Sequence, residues 1–275
     1  MLLRLWALVR ACHPLPSLAV TAVAAALAVT TGRDGRGVVA VVAAVLVGQL
    51  SVGWLNDALD ARRDTASNRS DKPVATGAIS RSSVAVAAGV AVPAAVGLSM
   101  LSGVVAGVVH VVALCSAWAY DLGVKGTVFS MVPYAVSFGL LPAFVVLGAP
   151  GHPWPPAWLV AAGAVLGSAA HFANVIPDID DDLATGVRGL PHRLGASASA
   201  AAASALVLLT SVILAFGPPG PVSLAGLVAL PLSAAVLVVG RLRARRPGSR
   251  AAFNALLVVA VIDVVLLITT GAVVL

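Results

Sequence analysis

The run Val38-Val39-Ala40-Val41-Val42-Ala43-Ala44-Val45-Leu46-Val47-Gly48-Gln49-Leu50-Ser51-Val52-Gly53-Trp54-Leu55 carries no charge, and it leads straight into Asn56-Asp57-Ala58-Leu59-Asp60-Ala61-Arg62-Arg63-Asp64. A helix needs roughly 20 mainly apolar residues to cross a bilayer. An element apolar on every side has no face to turn to water. The run therefore reads as a membrane span, with a cluster of carboxylates and arginines at its mouth.

The rest of the chain repeats this pattern. Of 275 residues, 60% are hydrophobic, 10% charged and 5% aromatic, and the mean hydropathy is +1.02. These values exclude a water-soluble enzyme. Apolar runs between charged or Pro/Gly-rich breaks predict nine helices, near 15–32, 38–55, 83–101, 103–120, 128–148, 157–174, 197–216, 222–240 and 251–275. The third break is the slightest, since only Ser102-Gly103 divides two apolar runs. The fold class expected is an all-α integral membrane protein, with a single domain over 1–275. Ala26-Leu27-Ala28 has the small-residue look of a signal-peptidase site, but eight further apolar runs follow it, and a retained first helix is expected.

Basic residues set the orientation. Segments 1–14, 56–82, 121–127, 175–196 and 241–250 hold all the Lys and Arg except Arg33 and Arg36. By the positive-inside rule these segments and the N-terminus are cytoplasmic, in a multi-pass cell-membrane protein. The same rule accounts for the net charge of +6 without a nucleic-acid partner. Cys12 and Cys115 suggest neither a disulfide framework nor a metal cluster.

All 11 acidic residues are Asp, and nine fall on that basic side. They concentrate in two frames, Asn56/Asp60/Asp64 with Asp57 beside them, and Asn174/Asp178/Asp182 within Asn174-Val175-Ile176-Pro177-Asp178-Ile179-Asp180-Asp181-Asp182. Residues at i and i+4 share a helix face, so each frame predicts a polar stripe, with Pro177 suited to a first turn after a break. The frames stand four predicted helices apart, which suggests a four-helix internal repeat around a central cavity.

Like charges at this spacing repel, and acids near hydrocarbon are costly, so a cation is expected between the stripes. Carboxylates without Cys or paired His favour Mg²⁺, which shares its shell with substrate phosphates. Arg62, Arg63, Arg69, Lys72, Lys125, Arg188 and Arg193 lie close by in sequence and suit a diphosphate. A metal-bridged diphosphate at the mouth of an apolar cavity points to an isoprenyl diphosphate.

With these residues in place, the chain resembles the UbiA superfamily of intramembrane prenyltransferases. Asn56, Asp57, Asp60 and Asp64 match its first motif, and Lys72-Pro73-Val74-Ala75-Thr76-Gly77 the stretch after it, with Lys72 where many members have Arg. Asp178 and Asp182 match the second motif, and Gly186 to Gly195 its trailer. Tyr120-Asp121 to Lys125 also looks like the family.

The resemblance implies nine helices and transfer of a prenyl group from its diphosphate to an acceptor, usually aromatic. It implies one Mg²⁺ on Asp60 and Asp64, another on Asp178 and Asp182, and Asn56 and Asp57 supporting the first. Lys125, Lys72 and Arg193, with Arg63, would neutralise the diphosphate. Arg10, Tyr120, Asp121, His171 and Asn174 are candidates for the acceptor or cavity wall. Packing is the simpler expectation for His110, a hydrogen bond for His171, pairing with Arg69 or Lys72 for Asp71, and an interhelical bond to Ser, Thr or Asn for Asp263. A terpene cyclase of the same type shares the ionisation step and is the alternative. Transporters place ionisable groups near the bilayer midplane, unlike these helix-end carboxylates. The single continuous motif of CDP-alcohol phosphotransferases is absent.

Overall fold

A computed structural model of the chain describes residues 2–67, 69–244 and 251–271. Part of the predicted 241–250 segment, including Arg245, Arg246 and Arg250, and the end of the 251–275 helix lie outside the described residues. The described chain is helical, without strands. Its helices are α1 (Leu2–Ala11), α2 (Pro14–Thr30), α3 (Gly35–Ala66), α4 (Arg81–Met100), α5 (Val104–Asp121), α6 (Val132–Leu147), α7 (Ala157–Val175), α8 (Ile179–Ala184), α9 (Leu190–Phe216), α10 (Leu224–Arg243) and α11 (Ala251–Gly271).

Each of the nine predicted apolar segments is a helix, but nine crossings do not follow. Seven of the described helices are long and apolar enough to span a bilayer, and α1 and α2, bent by 64° from each other, reach that length only as a pair. Helix α6 has 16 residues, about 24 Å at 1.5 Å per residue, short of a hydrocarbon core of about 30 Å. Helix also extends beyond the predicted apolar runs. Residues 2–11 form α1, and α3 runs on through the first acidic frame to Ala66, because Ala58, Leu59 and Ala61 sustain the helix where charge begins.

Caps and turns follow local chemistry. The Asp34 side chain accepts from the Gly37 amide at 2.7 Å and starts α3. Ser80 and Ser223 do the same for α4 and α10. The slight break at Ser102-Gly103 is a true turn, since Gly103 has φ 97°, a value other residues rarely adopt. Arg33, on the side opposite the basic segments, is buried and structural. It donates to the carbonyls of Val145 and Phe144 and to the Ser102 hydroxyl, fastening the α2–α3 turn to α6 and to the α4–α5 turn.

Packing is that of membrane helices, with small residues at the contacts. A methyl group on Gly167 would stand 2.5 Å from the Tyr134 carbonyl, so α6 and α7 approach backbone to backbone. His110 stacks on Phe144 at 4.3 Å and bonds Ser99, and so serves packing. Ser211 of α9 donates to Asp263 of α11 at 2.5 Å, the interhelical bond expected for Asp263. The outer surface is apolar, with Val86, Val90, Val108, Leu209, Leu227 and Val261 exposed, as suits contact with lipid rather than water.

Candidate active site

The last turns of α3 bring Asn56, Asp57, Asp60, Arg63 and Asp64 together at one end of the bundle. Asp57 is 1% exposed, and Asp60 and Asp64 are also buried. Carboxylates this deep need partners, and most come from distant elements. Both Asp60 oxygens accept from the Lys125 ammonium at 2.6 Å. Asp60 Oδ2 also accepts from Arg63 at 2.7 Å and from the Asn56 amide at 3.1 Å. The same Asn56 amide donates to Asp121 at the end of α5, at 3.0 Å. Asp57 accepts from Lys72 at 2.7 Å, and His13 Nε2 lies 2.9 Å from that ammonium and 3.4 Å from Asp57. The nearest base to Asp64 is Arg63, at 4.0 Å.

The second frame is built differently. Helix α7 ends at Val175, and Ile176–Asp178 form a 3₁₀ turn before α8 begins at Ile179. Pro177 has no amide hydrogen to continue the α-helical ladder, so Asn174 lies in the last turn of α7, Asp178 closes the 3₁₀ turn and Asp182 lies in α8. Asn174 is exposed, with its amide 3.5 Å from the Tyr134 hydroxyl. Asp182 pairs with His192 at 3.0 Å. Asp180 and Asp181 face out.

The two frames converge through arginines. The Arg63 guanidinium bonds Asp60 of the first frame and stands 3.8 Å from Asp182 of the second. Arg69 lies 3.2 Å from Asp178 and forks onto both oxygens of Asp71, at 2.9 and 3.0 Å. That fork holds the Asp71 carboxyl down at about 2 and pushes the Arg69 guanidinium up. Asp71 is thus a loop charge paired with Arg69, as expected.

An aromatic wall adjoins the acids. Tyr120 meets Tyr134 edge-on at 5.2 Å and His171 at 5.7 Å, and Tyr134 stacks on Phe138 at 6.1 Å. His171 Nε2 is 3.0 Å from the Ser130 hydroxyl, the expected hydrogen bond. That hydroxyl also accepts from the Leu190 amide and so ties α7 to the start of α9.

Several basic residues sit differently from their place in sequence. Arg62 lies on the other flank of α3 from Asp60, beside Arg4 and Arg81. Arg193 is exposed and bonds the Arg188 carbonyl, while its neighbour His192 is the one turned to Asp182. Arg10 braces the loop by donating to the Asp71 carbonyl. His13, Ser130 and His192 carry contacts that the sequence reading left out. His13 precedes a helix-starting proline and His192 lies inside the second trailer, but neither position reveals its partner.

The donor set suits a hard divalent ion. Asp60, Asp64, Asp178 and Asp182 offer only oxygens, and guanidinium and ammonium groups already stand among them. Buried Asp57 Oδ2 and Asp121 Oδ2 have no hydrogen-bond partner. Among the described residues no three His, Cys or Asp stand close enough to hold an ion alone. The fit is therefore to an ion completed by substrate oxygens and water, the usual habit of Mg²⁺.

Fold and site together define a multi-helix membrane protein with two acidic motifs facing each other at one end. The sequence profile of the UbiA prenyltransferase family matches residues 17–261, and the chain belongs to that family. Similar solved structures include a UbiA homologue from Archaeoglobus fulgidus with GPP and Mg²⁺, at TM-score 0.71 and 15% identity, covering 96% of this chain and 99% of that one. A UbiA homologue from Aeropyrum pernix K1 without ligand gives 0.72 and 18%, covering 91% and 96%. A digeranylgeranylglyceryl phosphate synthase gives 0.71 and 16%, covering 99% of each chain. At these identities the likeness is one of fold. No curated protein sequence matches the chain.

Proposed function

We propose that this protein transfers a prenyl group from an isoprenyl diphosphate to a hydrophobic, aromatic acceptor within the membrane, with Mg²⁺. The observation that carries the reading is the meeting of Asp60 and Asp182 on one guanidinium, which gathers both acidic motifs about a single cationic point. Family membership and the Mg²⁺-bound, GPP-bound relative support it.

In this reading Asp60 and Asp64 hold one Mg²⁺, and Asp178 and Asp182 the other. When bound, the ions supply Lewis acidity to the leaving diphosphate. Asn56 and Asp57 brace the first motif. Lys125, Lys72 and Arg63 face the acids and take up the diphosphate charge, with Arg193 at the rim. The allylic C–O bond breaks, and its electron pair leaves with the diphosphate. The wall of Tyr120, Tyr134, Phe138 and His171 excludes water from the allylic cation and offers it aromatic faces. The acceptor ring supplies the electron pair for the new C–C bond and then loses its proton. Asp121, whose Oδ2 has no partner, receives that proton. Arg10 and Asn174 border the route by which an acceptor enters. The domain runs over 1–275, in the cell membrane, with the N-terminus and the acidic end cytoplasmic.

The test is incubation of the purified protein with Mg²⁺ and geranyl, farnesyl or geranylgeranyl diphosphate, with and without aromatic acceptors, read by mass spectrometry. Prenylated acceptor supports the proposal. Cyclic hydrocarbon released without acceptor assigns the chain instead to the cyclase chemistry, which shares the ionisation. Intact donor under every condition overturns both.

A further inference from the structure

Helix α3 has a second functional flank. Opposite the acids lies a cleft of about 800 Å³ lined by Arg4, Arg62, Arg81, Ser80, Ser83 and Thr65, with Ile79 and Val74 among its apolar lining. No Asp lines it, and among the described residues no ion pair engages Arg4, Arg62 or Arg81. Arg81 uses its Nε on the Ala58 carbonyl at 2.8 Å, which fixes the guanidinium in place. Three arginines without a counter-charge on one hollow call for an anion.

Arg81 is also a wall of a second hollow, a groove of about 790 Å³ between α3 and α4. Its lining is apolar, with Leu55, Leu59, Ala85, Ala88 and Val92. From Arg81 to Val92 the groove follows α4 for about 16 Å into the span, at 1.5 Å per residue. The basic cleft and the apolar groove therefore meet end to end.

Helix α1 contributes Arg4 to the cleft and carries bare apolar side chains. Leu3, Leu5, Trp6 and Val9 are exposed, Trp6 at 62%. The helix turns 64° away from α2, and Leu8 accepts a hydrogen bond from Trp54 of α3. A short helix with bare Trp and Leu, bent away from α2 on the basic side, has the make-up of an interfacial helix.

We propose that this flank binds one anionic glycerophospholipid, its phosphate among Arg4, Arg62 and Arg81 and one acyl chain in the α3–α4 groove. The site is separate from the acidic end and does not depend on prenyl transfer. Its occupant is an amphiphile because charge and grease adjoin in the order of a lipid, head at the interface and tail inward.

The test uses the whole protein reconstituted in vesicles of equal phosphatidylglycerol and phosphatidylcholine, re-extracted in mild detergent and weighed intact. Wild type should retain phosphatidylglycerol over phosphatidylcholine. Arg4→Gln with Arg62→Gln should weaken that retention about thirtyfold, at about 1 kcal/mol per interfacial charge. Gly89→Leu should reduce retention of both lipids, since a side chain there enters open groove without a clash. Ala85→Leu blocks the same groove should Gly89→Leu fail to fold. Unchanged phosphatidylglycerol in the arginine pair overturns the head site, and unchanged retention in the groove variant overturns the tail site. Displacement of the lipid by glycerol phosphate or inorganic phosphate would assign the cleft to a soluble phosphate, and displacement by farnesyl diphosphate to a second donor site. Either result overturns the proposal.

Discussion

Asp60 and Asp182, far apart in the chain, share one cation, because the Arg63 guanidinium bonds the first at 2.7 Å and stands 3.8 Å from the second. With Arg69 standing 3.2 Å from Asp178, this contact makes one site of two distant stretches of sequence.

Arg63→Gln leaves those two carboxylates without their shared guanidinium, with Lys125 and Asn56 still on Asp60 and His192 on Asp182. The variant should lose at least tenfold in kcat/KM, with the KM for the isoprenyl diphosphate raised. Arg63→Lys keeps the charge but cannot fork between two carboxylates, and should recover only part of the loss. Steady-state kinetics at saturating Mg²⁺ read both.

Asp60→Ala and Asp178→Ala each remove a carboxylate from a different motif. Turnover should fall by about 10²–10³-fold, the scale of removing one element of preorganised electrostatic stabilisation. Both proteins should still insert and purify, since the losses lie at the end of the bundle. Full activity in either would remove that aspartate from the proposed metal set.

Lys125→Ala takes away the ammonium that bonds both Asp60 oxygens. Diphosphate affinity should drop about tenfold, one charge-assisted contact, read by calorimetry with a non-reactive donor analogue. Unchanged affinity would leave Lys125 as a partner of Asp60 alone.

The Asp71–Arg69 fork sets a pH dependence. The folded carboxyl titrates at about 2, below its unfolded value of about 3.9. Its contribution to stability is therefore present above the unfolded value and lost as pH falls through the folded one. The melting temperature of Asp71→Asn should lie below wild type by a constant amount from pH 5 to pH 8. The gap should close towards pH 2.

Ser211→Ala removes the hydroxyl that bonds buried Asp263 between α9 and α11. Leaving that carboxyl without its donor should cost about 1–3 kcal/mol, read as a lower melting temperature with catalysis unchanged below it.

Much of this was legible in the chain. The apolar runs located every long helix, and the repeated Asn–Asp–Asp spacing located both acidic motifs, because i,i+4 proximity is a local property. Local chemistry also marked the turn at Gly103. The i,i+4 stripe carried α3 through Asp64, as found, but the presence of α1 was not legible, since charge marks where a span leaves the membrane and not where a helix lies. The break after Val175 was visible as Pro177, but not its form.

What the sequence by itself determined is an all-helical membrane chain with carboxylates at one end and arginines around them. Only the tertiary structure decided which way each side chain turns: Arg63 toward the acids and Arg62 away, His192 inward and Arg193 out, Asn56 across to Asp121. The physical reason is that helices rich in Ala, Val, Leu and Gly are apolar all round. With no stripe to mark the buried face, rotation about each axis is set by how neighbouring helices fit together, and that information resides in no single stretch of residues.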